Sequence, residues 1–87
     1  MSEESAINFP CSFPIKMMGR DTEEFRATAR ELVEKHAGVV ADEAVKTALS
    51  RNGNFVSVTV TIIATSQEQL DRIYLDATDH DDVLMAL

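Results

Sequence analysis

One cysteine, two prolines, three glycines and no tryptophan occur in 87 residues. A lone Cys11 cannot close an internal disulfide, which agrees with a reducing compartment. It also leaves no second thiol for a paired-cysteine metal carrier. Basic residues are few: 8 Lys and Arg stand against 15 Asp and Glu, for a net charge of −7. Nucleic-acid binding runs on neutralised phosphates, and the basic residues here are scattered. Nucleic acid and anionic membrane surfaces are therefore not expected as partners. The negative balance reads first as solubility. No apolar run approaches the roughly 18 residues that span a bilayer. The start, Met1-Ser2-Glu3-Glu4-Ser5, is acidic where a secretory signal is basic. The cytoplasm is the expected location. No catalytic, cofactor or metal constellation is present, so no enzyme, cofactor or metal is expected.

What the chain does have is a period of two. From Asn52 to Thr65 it reads Asn-Gly-Asn-Phe-Val-Ser-Val-Thr-Val-Thr-Ile-Ile-Ala-Thr. Asn52-Gly53 is a tight-turn pair whose residues tolerate positive φ. Val56, Val58, Val60, Ile62 and Ala64 then alternate with Ser57, Thr59, Thr61 and Ile63. Successive strand side chains point to opposite faces, so one apolar face meets a core and a hydroxyl-rich face looks elsewhere. That second face reads as polar, uncharged and flat.

Phe9, Cys11, Phe13, Ile15 and Met17 alternate in the same way, and Gly19 ends the run. Pro10 and Pro14 lack an amide donor, so one side of this strand is expected to be unpaired near its start. Asp21-Thr22-Glu23-Glu24 starts a helix. Phe25, Ala29, Leu32, Val33 and His36 follow helical spacing, and Gly38 closes it. Val45, Thr47 and Leu49 suggest a strand leading into a Ser50–Asn54 turn. Ser66-Gln67-Glu68-Gln69 is a capping box ahead of the stripe Leu70, Ile73, Tyr74 and Ala77. Thr78 to Asp82 reads as a polar loop. Val83 to Leu87 reads as a last strand with Val83, Met85 and Leu87 facing the core.

Strand, helix, strand, strand, helix, strand is the order of an α+β, ferredoxin-like βαββαβ two-layer sandwich. Its four-stranded antiparallel sheet places strands one and three centrally and both helices on one face. Residues 1–8 read as a flexible lead-in and 9–87 as a single domain. The open face carries Ser57, Thr59 and Thr61, with Ser12, Lys16 and Met18 beside them.

These residues resemble a known family. Phe9-Pro10-Cys11-Ser12-Phe13-Pro14-Ile15-Lys16-Met17-Met18-Gly19, the Gly53–Ile62 run, Gln69-Leu70 with Tyr74, and Met85-Ala86-Leu87 are similar to the YbeD-like family of small uncharacterised bacterial proteins. The likeness spans Phe9 to Leu87, and its motifs carry the fold. Phe55 stands where a tyrosine is usual, Thr47-Ala48 where a proline-containing pair is usual, and Ala77-Thr78 lacks the usual leucine and glycine. The resemblance implies an ACT-like fold, the regulatory domain that binds amino acids between subunits. It also implies a neighbourhood of lipoyl-transfer genes, and so a link to lipoate metabolism. It implies no catalytic residues.

Several side chains need weighing against plainer roles. Cys11 lies on the apolar phase, where a small packed hydrophobe is favoured over a nucleophile lacking a base. His36 suits a helix C-terminus. His80 lies beside Asp79, Asp81 and Asp82, and the stretch Asp76 to Asp82 could hold a hard cation through its carboxylates, but no glycine turn or terminal bidentate Glu follows, and a solvated loop is favoured. Met18-Gly19-Arg20 sits where acylphosphatases of this fold cradle phosphate, without their fuller glycine pattern. An RNA-stacking module needs aromatics on strand three, where Ser57, Thr59 and Thr61 stand instead. The reading is a non-enzymatic binding or regulatory module acting through the face of Lys16, Met18, Ser57, Thr59 and Thr61, or through the edge strands. Its partner is a protein or a small molecule, with a homodimer among the options. The alternative is an acylphosphatase-type hydrolase using the loop at Gly19-Arg20. Amides converging there would favour the enzyme, and a plain turn into the helix would favour the module.

Overall fold

The computed structural model describes residues 8–87, so the expected lead-in lies, but for Asn8, outside the described residues. The elements are β1 (Cys11–Arg20), α1 (Glu23–Ala37), β2 (Val45–Leu49), β3 (Phe55–Ala64), α2 (Gln67–Asp79) and β4 (Met85–Ala86). A single 3-10 turn, Asp42–Ala44, precedes β2. The sheet order is β2-β3-β1-β4 with every neighbour antiparallel. This is the ferredoxin-like α+β sandwich. The two alternating runs became the central strands, paired from Cys11–Ala64 to Arg20–Phe55. Their apolar phases meet: Ile15 lies opposite Val60 and Met17 opposite Val58. Those four side chains are fully buried with Phe25, Ala29 and Val33 of α1 and Leu70, Ile73 and Ala77 of α2.

Local chemistry sets the ends. The Thr22 hydroxyl accepts from the Phe25 amide at 3.0 Å, and the Ser66 hydroxyl from the Gln69 amide at 3.1 Å. The Gln69 side chain does not return to Ser66. Its oxygen accepts from the Thr65 amide at 2.8 Å, and its nitrogen donates to the His36 carbonyl at 3.1 Å. Gly38 ends α1 at φ 82°. Arg30 spans the connection that follows, donating to Glu34 at 3.3 Å, Asp42 at 2.8 Å and the Val40 carbonyl at 2.6 Å.

Three readings need correction. β1 runs one residue past Gly19, because Gly19 provides space rather than a turn. A Cβ there would lie 2.6 Å from the Asp82 carbonyl oxygen and 2.7 Å from the Phe25 ring. The hairpin instead agrees with its turn pair: Gly53 takes positive φ, at 74°. Thr78 and Asp79, read as loop, complete α2, and the backbone of His80 caps it. The last strand is Met85–Ala86, with Val83 buried but Met85 and Leu87 exposed. The Val83 amide bonds the His80 carbonyl at 3.1 Å and the Leu84 amide bonds the Met18 carbonyl at 2.8 Å. That turn shifts the phase by one residue, so Ala86 takes the inward position opposite Met17.

Candidate functional site

The registers fix which side chains share the open face. It receives Ser12, Pro14, Lys16, Met18 and Arg20 from β1, Phe55, Ser57, Thr59, Thr61 and Ile63 from β3, and Lys46 and Ala48 from β2. Lys46, Thr59 and Lys16 form one row across three strands, and Ala48, Ser57, Met18 and Met85 form the next. All five residues expected there, Lys16, Met18, Ser57, Thr59 and Thr61, lie on it together. Lys16 is exposed and the other four are half-buried.

The face is not uncharged, as its strand-three residues suggested. No Asp or Glu occurs in any of the four strands, while Lys16, Arg20 and Lys46 all project from this side. Neighbouring strands lie roughly 4.8 Å apart, so two lysines flank Thr59 at close range. The Arg20 guanidinium carbon sits 5.8 Å from the centre of the Phe55 ring, within cation–π reach. Arg20, Lys46 and Phe55 were not assigned to the face from sequence. Their alternation with Gly19, Val45 and Val56 was the available signal. On the helical layer the cations are neutralised: Arg26 meets Asp21 at 2.6 Å, Arg30 meets Glu34 and Asp42, Lys35 meets Asp76 at 3.5 Å, and Arg72 meets Glu68 at 3.1 Å.

The loop after β1 is a plain turn into α1. The Asp21 amide bonds the Asn54 carbonyl at 3.2 Å, and the Thr22 amide bonds the Arg20 carbonyl at 2.8 Å. Neither is left for phosphate. A cleft of about 160 Å³ beside Arg20 is also lined by Asp81 and Asp82, whose charge opposes an anion. The acylphosphatase alternative is not supported.

His36 does more than face a helix end. Its Nε2 lies 2.6 Å from Asp76 on α2. That hydrogen bond, with Lys35 beside it, holds the Asp76 carboxyl below the usual carboxylate range. His80 Nδ1 accepts the Asp82 amide at 3.1 Å, which orders the loop read as a cation candidate. Among the described residues no cluster of three His, Cys, Asp or Glu side chains is placed to hold a metal. Cys11 is half-buried and packs against the core. Among the described residues no helix is long and apolar enough to cross a membrane.

Comparison with known proteins covers the whole of this architecture. A family model described as DUF493, protein of unknown function, matches residues 4–87. A UPF0250 protein of Nitrosomonas europaea is 42% identical over 87 residues, covering 100% of both chains. One of Chromobacterium violaceum is 45% identical over 89 residues, also covering 100% of both. The solution structure of protein HP0495 from H. pylori superimposes with a TM-score of 0.69 over 99% of this chain and 90% of that one, at 22% identity. That last likeness is one of fold.

Proposed function

The chain belongs to the DUF493, or UPF0250, family of small bacterial proteins, the family resembled under the name YbeD-like, and from that premise we propose a non-enzymatic, cytoplasmic binding module that works through the open face of its sheet. One observation carries the reading. In a protein of net charge −7, every strand among the described residues lacks an acid and the face these strands share holds three cations. Charge of one sign on a flat patch is an attribute of recognition rather than of folding.

The partner is a protein segment carrying carboxylates among apolar side chains. Small-molecule sites enclose most of their ligand, whereas the depression between Lys16, Met18, Phe55 and Ser57 is shallow and open, about 240 Å³. Met18, Phe55 and Met85 lie beside the cations and offer apolar contact. Face-to-face self-association would set lysines against lysines. Long polyanions would meet three cations and then the acidic remainder.

An isotope-labelled sample titrated with a synthetic Glu/Val peptide tests this by NMR. Shifts should map to Lys16, Lys46 and Thr59 and weaken with salt. The Lys16→Glu/Lys46→Glu double variant should lose at least tenfold in affinity. Equal binding of a Lys/Val peptide would refute the charge argument. The lipoate link implied by resemblance has its own test: a deletion strain with unchanged protein lipoylation would remove it.

A further inference from the structure

The rim of the sheet carries a sharper inference, which rests on the binding-module reading. Backbone hydrogen bonds in an antiparallel ladder alternate sides residue by residue. The Ser50 amide bonds the Phe55 carbonyl at 2.8 Å. In the β2–β3 register this turns the backbone of Ala48 and Lys46 toward β3. Val45, Thr47 and Leu49 therefore present their amides and carbonyls outward, on the last strand of the sheet. The Val45 amide is taken by the Asp42 carbonyl. Among the described residues nothing takes the amide or carbonyl of Thr47 or Leu49.

Sheet edges are ordinarily guarded by proline, a bulge, charge or a covering element. β2 contains no proline, and its pairing with β3 is unbroken over all its residues. Neither helix covers it: Thr47 and Leu49 lie on the helical side, yet both are exposed, Leu49 by 59%. Its one charge, Lys46, stands on the opposite, open face. The rim thus offers free backbone groups, a cation on one side and apolar surface on the other.

We propose that β2 accepts a fifth strand from a protein partner, an extended segment alternating acidic and apolar side chains. The strand's period of two puts the acidic phase beside Lys46 and the apolar phase beside Val45 and Leu49. A second copy of β2 fits less well. Two-fold pairing about Thr47 sets Lys46 diagonal to its mate on one face, at about 7–8 Å, and joins two bodies of net charge −7 each.

The probe is the peptide acetyl-Thr-Val-Glu-Val-Glu-Val-Thr-amide, with both Glu replaced by Lys as its control. Bound to the unmutated protein, the acidic peptide should slow hydrogen exchange at the Thr47 and Leu49 amides at least tenfold. Thr47→Pro removes an outward donor without touching a bond to β3, and should weaken binding at least tenfold with the thermal melt retained. Lys46→Glu should reverse the preference between the two peptides. Unslowed exchange at Thr47 and Leu49 overturns the proposal, even if the proline variant fails to fold. So does a folded Thr47→Pro protein that binds undiminished, or protection of the same amides by dimerisation without peptide. If Lys16→Glu/Lys46→Glu weakens binding while Thr47→Pro does not, the edge proposal falls and the open-face reading stands.

Discussion

Adding a single methyl group at Gly19 should cost this domain much of its stability. The new Cβ would lie 2.6 Å from the Asp82 carbonyl oxygen and 2.7 Å from two Phe25 ring carbons, where ordinary contact begins at 3.4 Å. Phe25 is 1% exposed and packed in the core, and the second obstacle is backbone. The segment carrying Asp82 must move, which threatens the Leu84 amide bond to Met18. Overpacking of this kind costs ~1–3 kcal/mol, and a lost backbone bond adds ~1 kcal/mol. A total of about 3 kcal/mol lowers Tm by roughly 12–24 °C in a domain this size. Thermal unfolding by circular dichroism reads it directly. Gly38→Ala is the control: nothing lies within 4 Å of its Cβ, so its cost comes from φ +82° alone. Phe25→Leu should recover part of the Gly19→Ala loss and none of the Gly38→Ala loss. A Gly19→Ala protein melting within about 3 °C of the parent, far short of that range, would refute the close-approach argument.

Val58 is fully buried between Met17 and Thr47, so Val58→Asp should abolish cooperative unfolding. An unpaired buried carboxylate costs several kcal/mol, comparable to the ~5–15 kcal/mol that holds a domain together, and an unchanged melt would overturn the core assignment. The Asp76 carboxyl is held low in the folded state by His36, with Lys35 beside it. Its contribution is therefore present above the ordinary carboxylate range and is lost as pH falls through the lowered folded value. Asp76→Asn should flatten the loss of stability below about pH 4 in urea melts, and an unaltered acid limb would contradict this. Cys11 packs against the core, so Cys11→Ser should cost little stability and native-state alkylation by iodoacetamide should be slow. Rapid labelling at neutral pH would instead mark a reactive thiolate.

Periodicity made the centre of the fold legible. The alternation at Ile15 and Met17 and at Val58 and Val60 is enforced by burial on one side only, so it survives in the sequence. Helix starts were equally plain, because Thr22 and Ser66 act on amides three residues away. The last strand misled because its phase is decided by backbone bonds at His80 and Met18, which leave no mark on side-chain type. His36 and Asp76 stand 40 residues apart in the chain and meet only through the packing of two helices. The residues of the open face were readable one strand at a time. Its charge was not, because Lys46 and Lys16 become neighbours only once β2, β3 and β1 lie side by side.

The pairing of β1 with β3 also shapes how the chain is made. Val58, the partner of Met17, emerges from the ribosome about 40 residues later, a wait of roughly 2–8 s at ~5–20 residues per second. The β2–β3 hairpin and each helix are closed by hydrogen bonds between near neighbours, which form on the microsecond scale once the segment is free to fold. β1 is the one long strand that must wait for its partner. Throughout that interval Ile15 and Met17 sit on an unpaired, aggregation-prone strand in the crowded space near the tunnel exit. Synonymous codons that slow translation once β1 has left the tunnel, while β3 is still inside it, should therefore lower soluble yield without changing a single residue of the product.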